Sequence, residues 1–269
     1  MKKFENMIIG CDMDGTLLDS EKRISARNEE ALRYYAEQGG RFSLATGRAP
    51  AGVRRYLQQM PMNAPYSLLN GSLFLNEQHE ITRCAGMPEE TKALIRETLS
   101  NFSQIGCEVY VGGEVYIAQF SEETDRHMKM LDLTYHMVDP ADLPDTARWG
   151  KVNFTAKDVN LIRQVKEFLR PYQARFCMAT SLPTFWEVTT LGVNKGSALQ
   201  SIAQECSIPS DRVFAVGDSY NDEQMIEVAH LGFVPENADR EILEKADVVV
   251  RSNDNDAVAA VIEYLDAHY

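Results

Sequence analysis

Two carboxylates one residue apart, Asp12 and Asp14, close the short apolar run Met7 to Cys11 in the stretch IIGCDMDGTLLDS. Loops that follow strands carry chemistry, and Gly15 lets the chain turn sharply and bring backbone N–H groups towards an anion. Carboxylates this close cannot both ionise comfortably without a cation. The pair therefore implies a metal, a shared proton, or a division into base and nucleophile. For DMDG taken by itself, an Asp- and Gly-rich turn is the plain alternative. A calcium loop of the EF-hand type is excluded: counted from Asp12, the glycine stands fourth instead of sixth, and Arg23 stands twelfth, where a bidentate Glu is required.

Three later stretches offer partners for this pair. LATGR places Thr46, Gly47 and Arg48 at the end of the next strand, where a hydroxyl and an open N–H can bind phosphate oxygens; alone, such a Thr more often caps a helix. GVNKGSAL places Lys195 at the opening of a helix. Its Lys-Gly-Ser order lacks the upstream glycines of a Walker loop, and a lone lysine is usually a solvated surface charge. FAVGDSYNDEQM carries Asp218, Asn221 and Asp222 after the apolar run Val213 to Val216, so Asp218 should reach the sheet edge that carries Asp12.

The full run DMDGTLLDS, followed in order by these three stretches, resembles the signature of the haloacid dehalogenase superfamily phosphatases. EKRIS, the NGS at Asn70 and AVGDSYND further resemble the Cof-type branch, subfamily IIB. The resemblance spans both ends of the chain and the position of an insert between them. It departs from the pattern at HLGFVPENA, where a small Gly-rich run is usual, and at SNDNDAVA, which lacks a usual Gly. What it implies is a Mg²⁺-dependent phosphatase of small phosphorylated metabolites, sugar phosphates foremost. Asp12 would be the nucleophile that forms an aspartyl-phosphate, and Asp14 the general acid and base. The metal would be held by Asp12, the backbone carbonyl of Asp14 and Asp218, which suits the oxygen preference of Mg²⁺. The phosphate would be held by the Met13 backbone, Thr46, Gly47, Lys195 and Asn221. Asp222 would either steady Lys195 or cap the helix that follows, with Arg48 as a further support. A phosphomutase or phosphotransferase would use the same aspartyl-phosphate. A phosphate-binding module without turnover would need neither Asp14 nor a large insert.

These groups must be positioned by a sheet. Met7 to Cys11, Arg41 to Thr46 and Ser67 to Asn70 read as strands, separated by a helix capped by Ser25 and by one running from Pro50 through Met60. The end of the chain has the same grammar: helices from about Gly196, Asp222 and Asp256, and strands at Val213 to Val216 and Asp247 to Val250. This predicts an α/β fold, a Rossmann-like, doubly wound parallel sheet whose ligand lies beyond the carboxyl ends of its strands. The middle reads differently. Helices at Pro88 to Phe102, Ser121 to Leu133 and Asp158 to Leu169 alternate with a hairpin turning at Gly112-Gly113 and strands at Val152 to Ala156, Arg175 to Ala179 and Phe185 to Thr189. The expectation is a core formed by residues 1–85 and 188–269, interrupted by an α+β cap at 86–187 that closes over the substrate and reads its leaving group; the resemblance implies that this cap is of the C2 type. Arg126, His127, Trp186 and Glu187 are candidate readers, although Trp186 reads more simply as packing and His127 as part of an exposed helical face.

Composition bounds the partners. The chain has 269 residues, 44% of them apolar, enough for one large domain or two modest ones, each with a buried core. A formal net charge of −13 repels nucleic acid and anionic membranes, so an anionic small-molecule substrate needs a local cation. Five scattered cysteines without a CxxC pair fit a reducing compartment, and no apolar run reaches membrane length. The expected location is cytoplasmic, and the oligomeric state is not legible.

Overall fold

The computed structural model describes residues 2–180 and 182–269. Two compact units divide the chain: residues up to Gly47 with Arg54–Glu80 and Asn194–Tyr269 form one, and Arg48–Val53 with Ile81–Val193 form the other.

The first unit is built on a five-stranded sheet in the order Val248–Val250, Leu231–Pro235, Val213–Val216, Ile8–Cys11, Arg41–Leu44. Every neighbouring pair is parallel, and Ile8 to Cys11 sits in register between Val213 to Val216 and Arg41 to Leu44. Parallel strands need crossovers, and the helices supply them on both faces. On one face Ile8 and Ala215 pack against Leu199, Ile202 and Ala203 of the helix Lys195–Glu205. Gly10 makes this approach close, since a Cβ there would stand 2.7 Å from Leu199 Cδ2. On the other face the helix Ala257–His268 and the C-terminal residue meet the sheet edge-on, Tyr264 against Phe233 and Tyr269 against Phe214. Ser25 begins the first crossover helix, Ala26–Glu37, by accepting from Asn28 N.

Two readings of the sequence need correction, and one strand was not expected. The strand expected at Ser67 to Asn70 is Tyr66–Leu68. It touches the parallel sheet through one bridge, Ala45 to Ser67, and pairs antiparallel with Leu73–Leu75. Leu69 and Asn70 take left-handed backbone conformations, φ 53° and 57°, which end the strand. The helix expected from Pro50 through Met60 is an α-turn at Pro50–Val53 followed by a 3-10 stretch, Arg54–Gln59, and the Gly52 carbonyl accepts from the Arg48 guanidinium instead of continuing the ladder alone. HLGFVPENA contains a strand, Leu231–Pro235, whose Gly232 is pressed against Ile226.

The second unit carries a six-stranded mixed sheet in the order Phe176–Ala179, Phe185–Thr190, Trp149–Thr155, Gly106–Val111, Glu114–Gln119, His136–Met137. Gly112 and Gly113, both at positive φ, make the two-residue turn between Val111 and Glu114. One face buries Val109, Val152, Phe154 and Val188 under the helices Thr91–Asn101 and Val159–Leu169. Alternation sends Glu108, Tyr110, Lys151, Asn153 and Glu187 to the opposite face, where they too are buried.

Candidate active site

Strand ends bring the acidic residues together. Asp12 follows Ile8–Cys11 and Asp218 follows Val213–Val216, so two adjacent parallel strands deliver both carboxylates to the same edge of the sheet. Gly15, at φ 81°, folds the loop tightly beneath Asp218; a Cβ there would stand 2.4 Å from Asp218 Oδ2. Thr16, fully buried, donates to Asp218 Oδ1 at 2.7 Å and fixes that carboxylate.

Lys195 is the first residue of its helix, after a capping box between Asn194 and Ser197. Its side chain is 1% exposed, and its ammonium donates to Asp12 Oδ1 at 2.6 Å and to Asp222 Oδ1 at 2.7 Å. Asp222 does hold Lys195. Its Oδ2 accepts from the N–H groups of Asp218 and Ser219, each at 3.1 Å, and its side chain makes no cap bond into the helix Glu223–Val228. Gly217 makes room for it, since a Cβ there would stand 2.4 Å from Asp222 Cγ.

Ligand oxygens of Asp12, Asp218 and Asp222 lie within 4.8 Å of one another. Three carboxylates face one ammonium. Burial first, then the charge of Asp222, push the Asp12 carboxyl well above the usual carboxylate range, with Lys195 opposing them. Burial and Asp222 likewise push Asp218 up to about 7. Burial would lower Lys195, but Asp12 and Asp222 hold it above the ordinary lysine range. A site this short of positive charge is suited to a cation, and an all-oxygen donor set suits a hard one. Both oxygens of Asp222 are already engaged, whereas the hydrogen bonds found on Asp12 and Asp218 engage Oδ1 in each. The donor set thus fits a metal held by Asp12 and Asp218, with Asp222 behind Lys195.

The other expected residues fall around this cluster in different ways. Met13 is buried, and its carbonyl accepts from Leu18 N at 2.8 Å. Asp14 turns its carboxylate outwards to Lys22, Oδ1 to Nζ 2.8 Å. Thr46 is 2% exposed, and its carbonyl accepts from Asn70 N. Asn70 then stands over Gly47, where a Cβ would be 2.8 Å from its Oδ1, and that oxygen accepts from Asn221 Nδ2 at 3.2 Å. Arg48 is buried and donates to Gly52. Thr16 and Lys22 were not singled out from the sequence. The threonine of DGT could have been, because it follows the glycine that frames the loop.

In the second unit, His127 is buried rather than on an exposed helical face. Its Nδ1 lies 3.0 Å from both oxygens of the fully buried Glu108, and its ring meets Phe185 edge-on at 4.6 Å. Glu187 faces Lys151 at 3.3 Å on the same side of the sheet. Trp186 packs on the helix-covered side with Lys166 Nζ 4.8 Å above its ring, and Arg126 pairs with Glu123.

The family model of haloacid dehalogenase-like hydrolases matches residues 9–262. Among curated proteins the chain is similar to the 5-amino-6-(5-phospho-D-ribitylamino)uracil phosphatase YcsE of Bacillus subtilis, 27% identical over 257 residues and covering 96% of this chain and 94% of that protein. Among solved structures it is similar to a haloacid dehalogenase-like hydrolase from Bacteroides thetaiotaomicron, with 26% identity, TM-score 0.83 and coverage of 96% of this chain and 99% of that one. A sugar phosphatase of subclass IIB shares its fold at 19% identity, with TM-score 0.83 over 97% and 99% of the two chains. With a match that runs through the acidic loop after Ile8–Cys11, Lys195 and the loop of Asp218 alike, the chain belongs to the haloacid dehalogenase-like hydrolase family and is a Cof-type phosphatase within it.

Proposed function

We propose that this protein hydrolyses small phosphorylated metabolites, sugar or polyol phosphates foremost, through an aspartyl-phosphate on Asp12. The observation that carries the reading is the buried Lys195 ammonium shared between Asp12 and Asp222, with Asp218 beside them. Phosphate monoesters hydrolyse extremely slowly in water, so catalysis must come from positioning and from neutralising charge. Mg²⁺, when bound by Asp12, the Asp14 carbonyl and Asp218, would supply the positive charge that keeps Asp12 ionised and draws in the phosphoryl oxygens. Lys195 offers a third hydrogen bond beyond its two carboxylates, enough to bind a phosphoryl oxygen next to the nucleophile. Thr46, Gly47 and Asn221 complete the phosphate pocket, while the Asp12 carboxylate attacks phosphorus. Asp14 gives its proton to the departing alkoxide, then takes one from the water that cleaves the acyl phosphate. The one-residue spacing lets nucleophile and acid serve one phosphorus. The second unit would close over the ester and read its organic part, with the buried polar residues of its sheet as candidates. YcsE is named for an ester on a ribityl chain, which supports a polyhydroxylated leaving group. The unpaired thiols fit a cytoplasmic setting.

The test is a panel of phosphorylated metabolites ranked by kcat/KM, with and without Mg²⁺. Mg²⁺-dependent phosphate release, fastest with sugar or polyol phosphates, is expected. Isomerised sugar phosphate as the main product would replace hydrolase with mutase, and a single phosphate burst without turnover would leave only a binding module.

The raised Asp218 carboxyl gives a second expectation. An unfolded Asp ionises near about 4, so between roughly pH 4 and 7 the metal-free folded protein keeps a proton that the unfolded chain has released. Metal-free stability should therefore fall as pH rises through that window, and a cation that displaces the proton should reverse the trend. Added Mg²⁺ should raise Tm more at about pH 8 than at about pH 5.5. Equal shifts at both would contradict the proposed ligand set.

A further inference from the structure

We propose that Asn237 is a positioning residue for the metal: its side-chain amide ties the loop that follows Asp14 to the loop of Asp218, and so holds the two proposed ligands at the spacing a small, hard cation needs. The proposal rests on the ligand set read above, the Asp14 carbonyl and Asp218 with Asp12.

The sheet order brings the necessary segments to one edge. Val248–Val250, Leu231–Pro235, Val213–Val216 and Ile8–Cys11 are successive parallel neighbours. Their carboxyl ends therefore lead side by side towards Asn253, Asn237, Asp218 and Asp12. Asn253 and Asn237 belong to SNDNDAVA and HLGFVPENA, the two stretches where the sequence departs from the family pattern.

Asn237 Nδ2 donates to Gly15 O at 2.8 Å, and its Oδ1 accepts from Asn253 N at 2.8 Å. Asn253, only 9% exposed, sends its own Nδ2 to Leu18 O at 2.8 Å. Two residues after Asn237, Asp239 N donates to Asp218 O at 3.2 Å. The Thr16 hydroxyl on the Asp218 carboxylate completes a circuit that runs from Gly15 through Asn237 and Asp239 to Asp218 and back. The Asp14 carbonyl belongs to the planar peptide that enters Gly15, one residue before the carbonyl that Asn237 grips, so a shift at Gly15 moves that ligand.

A surface turn alone does not require this arrangement. Asn237 is exposed, so its hydrogen bonds compete with water and add little to folding. Both ends of its amide are nevertheless engaged, each by a different segment. Mg²⁺ demands near-octahedral oxygen ligands at about 2.0–2.1 Å and tolerates misplaced ones poorly. Groups that orient its ligands therefore act on affinity more than on the fold.

Calorimetric titration of the full chain with Mg²⁺ reads this role directly. Asn237→Ala should weaken Mg²⁺ binding roughly 10- to 100-fold, while the metal-free Tm stays close to that of the parent. The Mg²⁺ concentration for half-maximal phosphate release should rise by the same factor, and saturating Mg²⁺ should restore most of kcat. Asn237→Gln keeps the amide on a longer arm and should recover part of the affinity. Asn253→Ala removes a buried amide but keeps the N–H that anchors Asn237, so it should lower Tm more and Mg²⁺ affinity less. Asn255→Ala, whose amide donates to Ser252 Oγ, should do neither. Mg²⁺ binding by Asn237→Ala within about twofold of the parent, or an equal loss in Asn255→Ala, would overturn the proposal. No Mg²⁺ binding by the parent would instead overturn the ligand set on which it rests.

Discussion

Asp12→Asn is expected to lower kcat on every phosphomonoester by a factor of about 10⁴ or more, the scale seen when a covalent nucleophile is removed. The change is isosteric, so shape is kept while the attacking oxygen loses its charge. Lys195 keeps Asp222 as a partner at 2.7 Å, and the buried ammonium is not stranded. Meanwhile the crowding of Asp12 against Asp218 and Asp222 is relieved, and that crowding together with burial is what pushes the Asp12 carboxyl up. The metal-free variant should therefore be at least as stable as its parent in urea unfolding near neutral pH. Activity and stability moving in opposite directions separates a chemical role from a structural one. Residual turnover within tenfold of the parent would remove Asp12 from the reaction.

Lys195→Met should damage both properties at once. It leaves Asp12 and Asp222, 4% and 0% exposed, facing each other and Asp218 without the ammonium. Breaking a buried ion pair from one side costs about 3–5 kcal/mol, much more than an exposed pair is worth. The loss should be largest at neutral and higher pH. The Asp12 carboxyl, pushed up by burial, can escape the repulsion by taking a proton as the pH falls, so the parent–variant gap in urea midpoint should narrow at lower pH. Turnover should fall at least about 10³-fold, since a phosphoryl-binding charge in a water-poor site is removed. Mg²⁺ should recover part of the stability and little of the turnover, because it can balance the carboxylates but cannot replace the phosphate-binding donor. A variant as stable as the parent across pH would contradict the buried-charge account.

Much of the core fold was legible because it obeys local rules. Ser25, Ser121 and Asp158 each cap the helix they were expected to begin. Gly112-Gly113 turns the hairpin, and apolar runs ending in Asp12 and Asp218 are strands delivering carboxylates to one edge. What local rules missed was decided by tertiary context. Leu231–Pro235 carries a Gly and a Pro and was not expected as a strand, yet it is an inner strand of the parallel sheet. Ser67 to Asn70 has strand-like composition, but left-handed Leu69 and Asn70 divert it into a hairpin with Leu73–Leu75. His127, on the helix Glu122–Met130, reads as a surface residue until Glu108, a carboxylate on the strand Gly106–Val111, gives it a buried partner. The contact of Lys22 with Asp14 has no helical or strand spacing behind it, and nothing in EKRIS announces a left-handed lysine.

The claim on which the rest depends is that a covalent bond forms between Asp12 and phosphorus. Protein quenched during turnover with Mg²⁺ and substrate can be treated with borohydride, which reduces an aspartyl-phosphate to homoserine, and the peptide containing residues 7–23 can then be sequenced by mass spectrometry. Homoserine at position 12, absent without substrate and absent in Asp12→Asn, is the expected result. An unmodified Asp12 during active turnover, together with inversion of configuration at a chiral phosphorus, would mean that water attacks the ester directly and would contradict it.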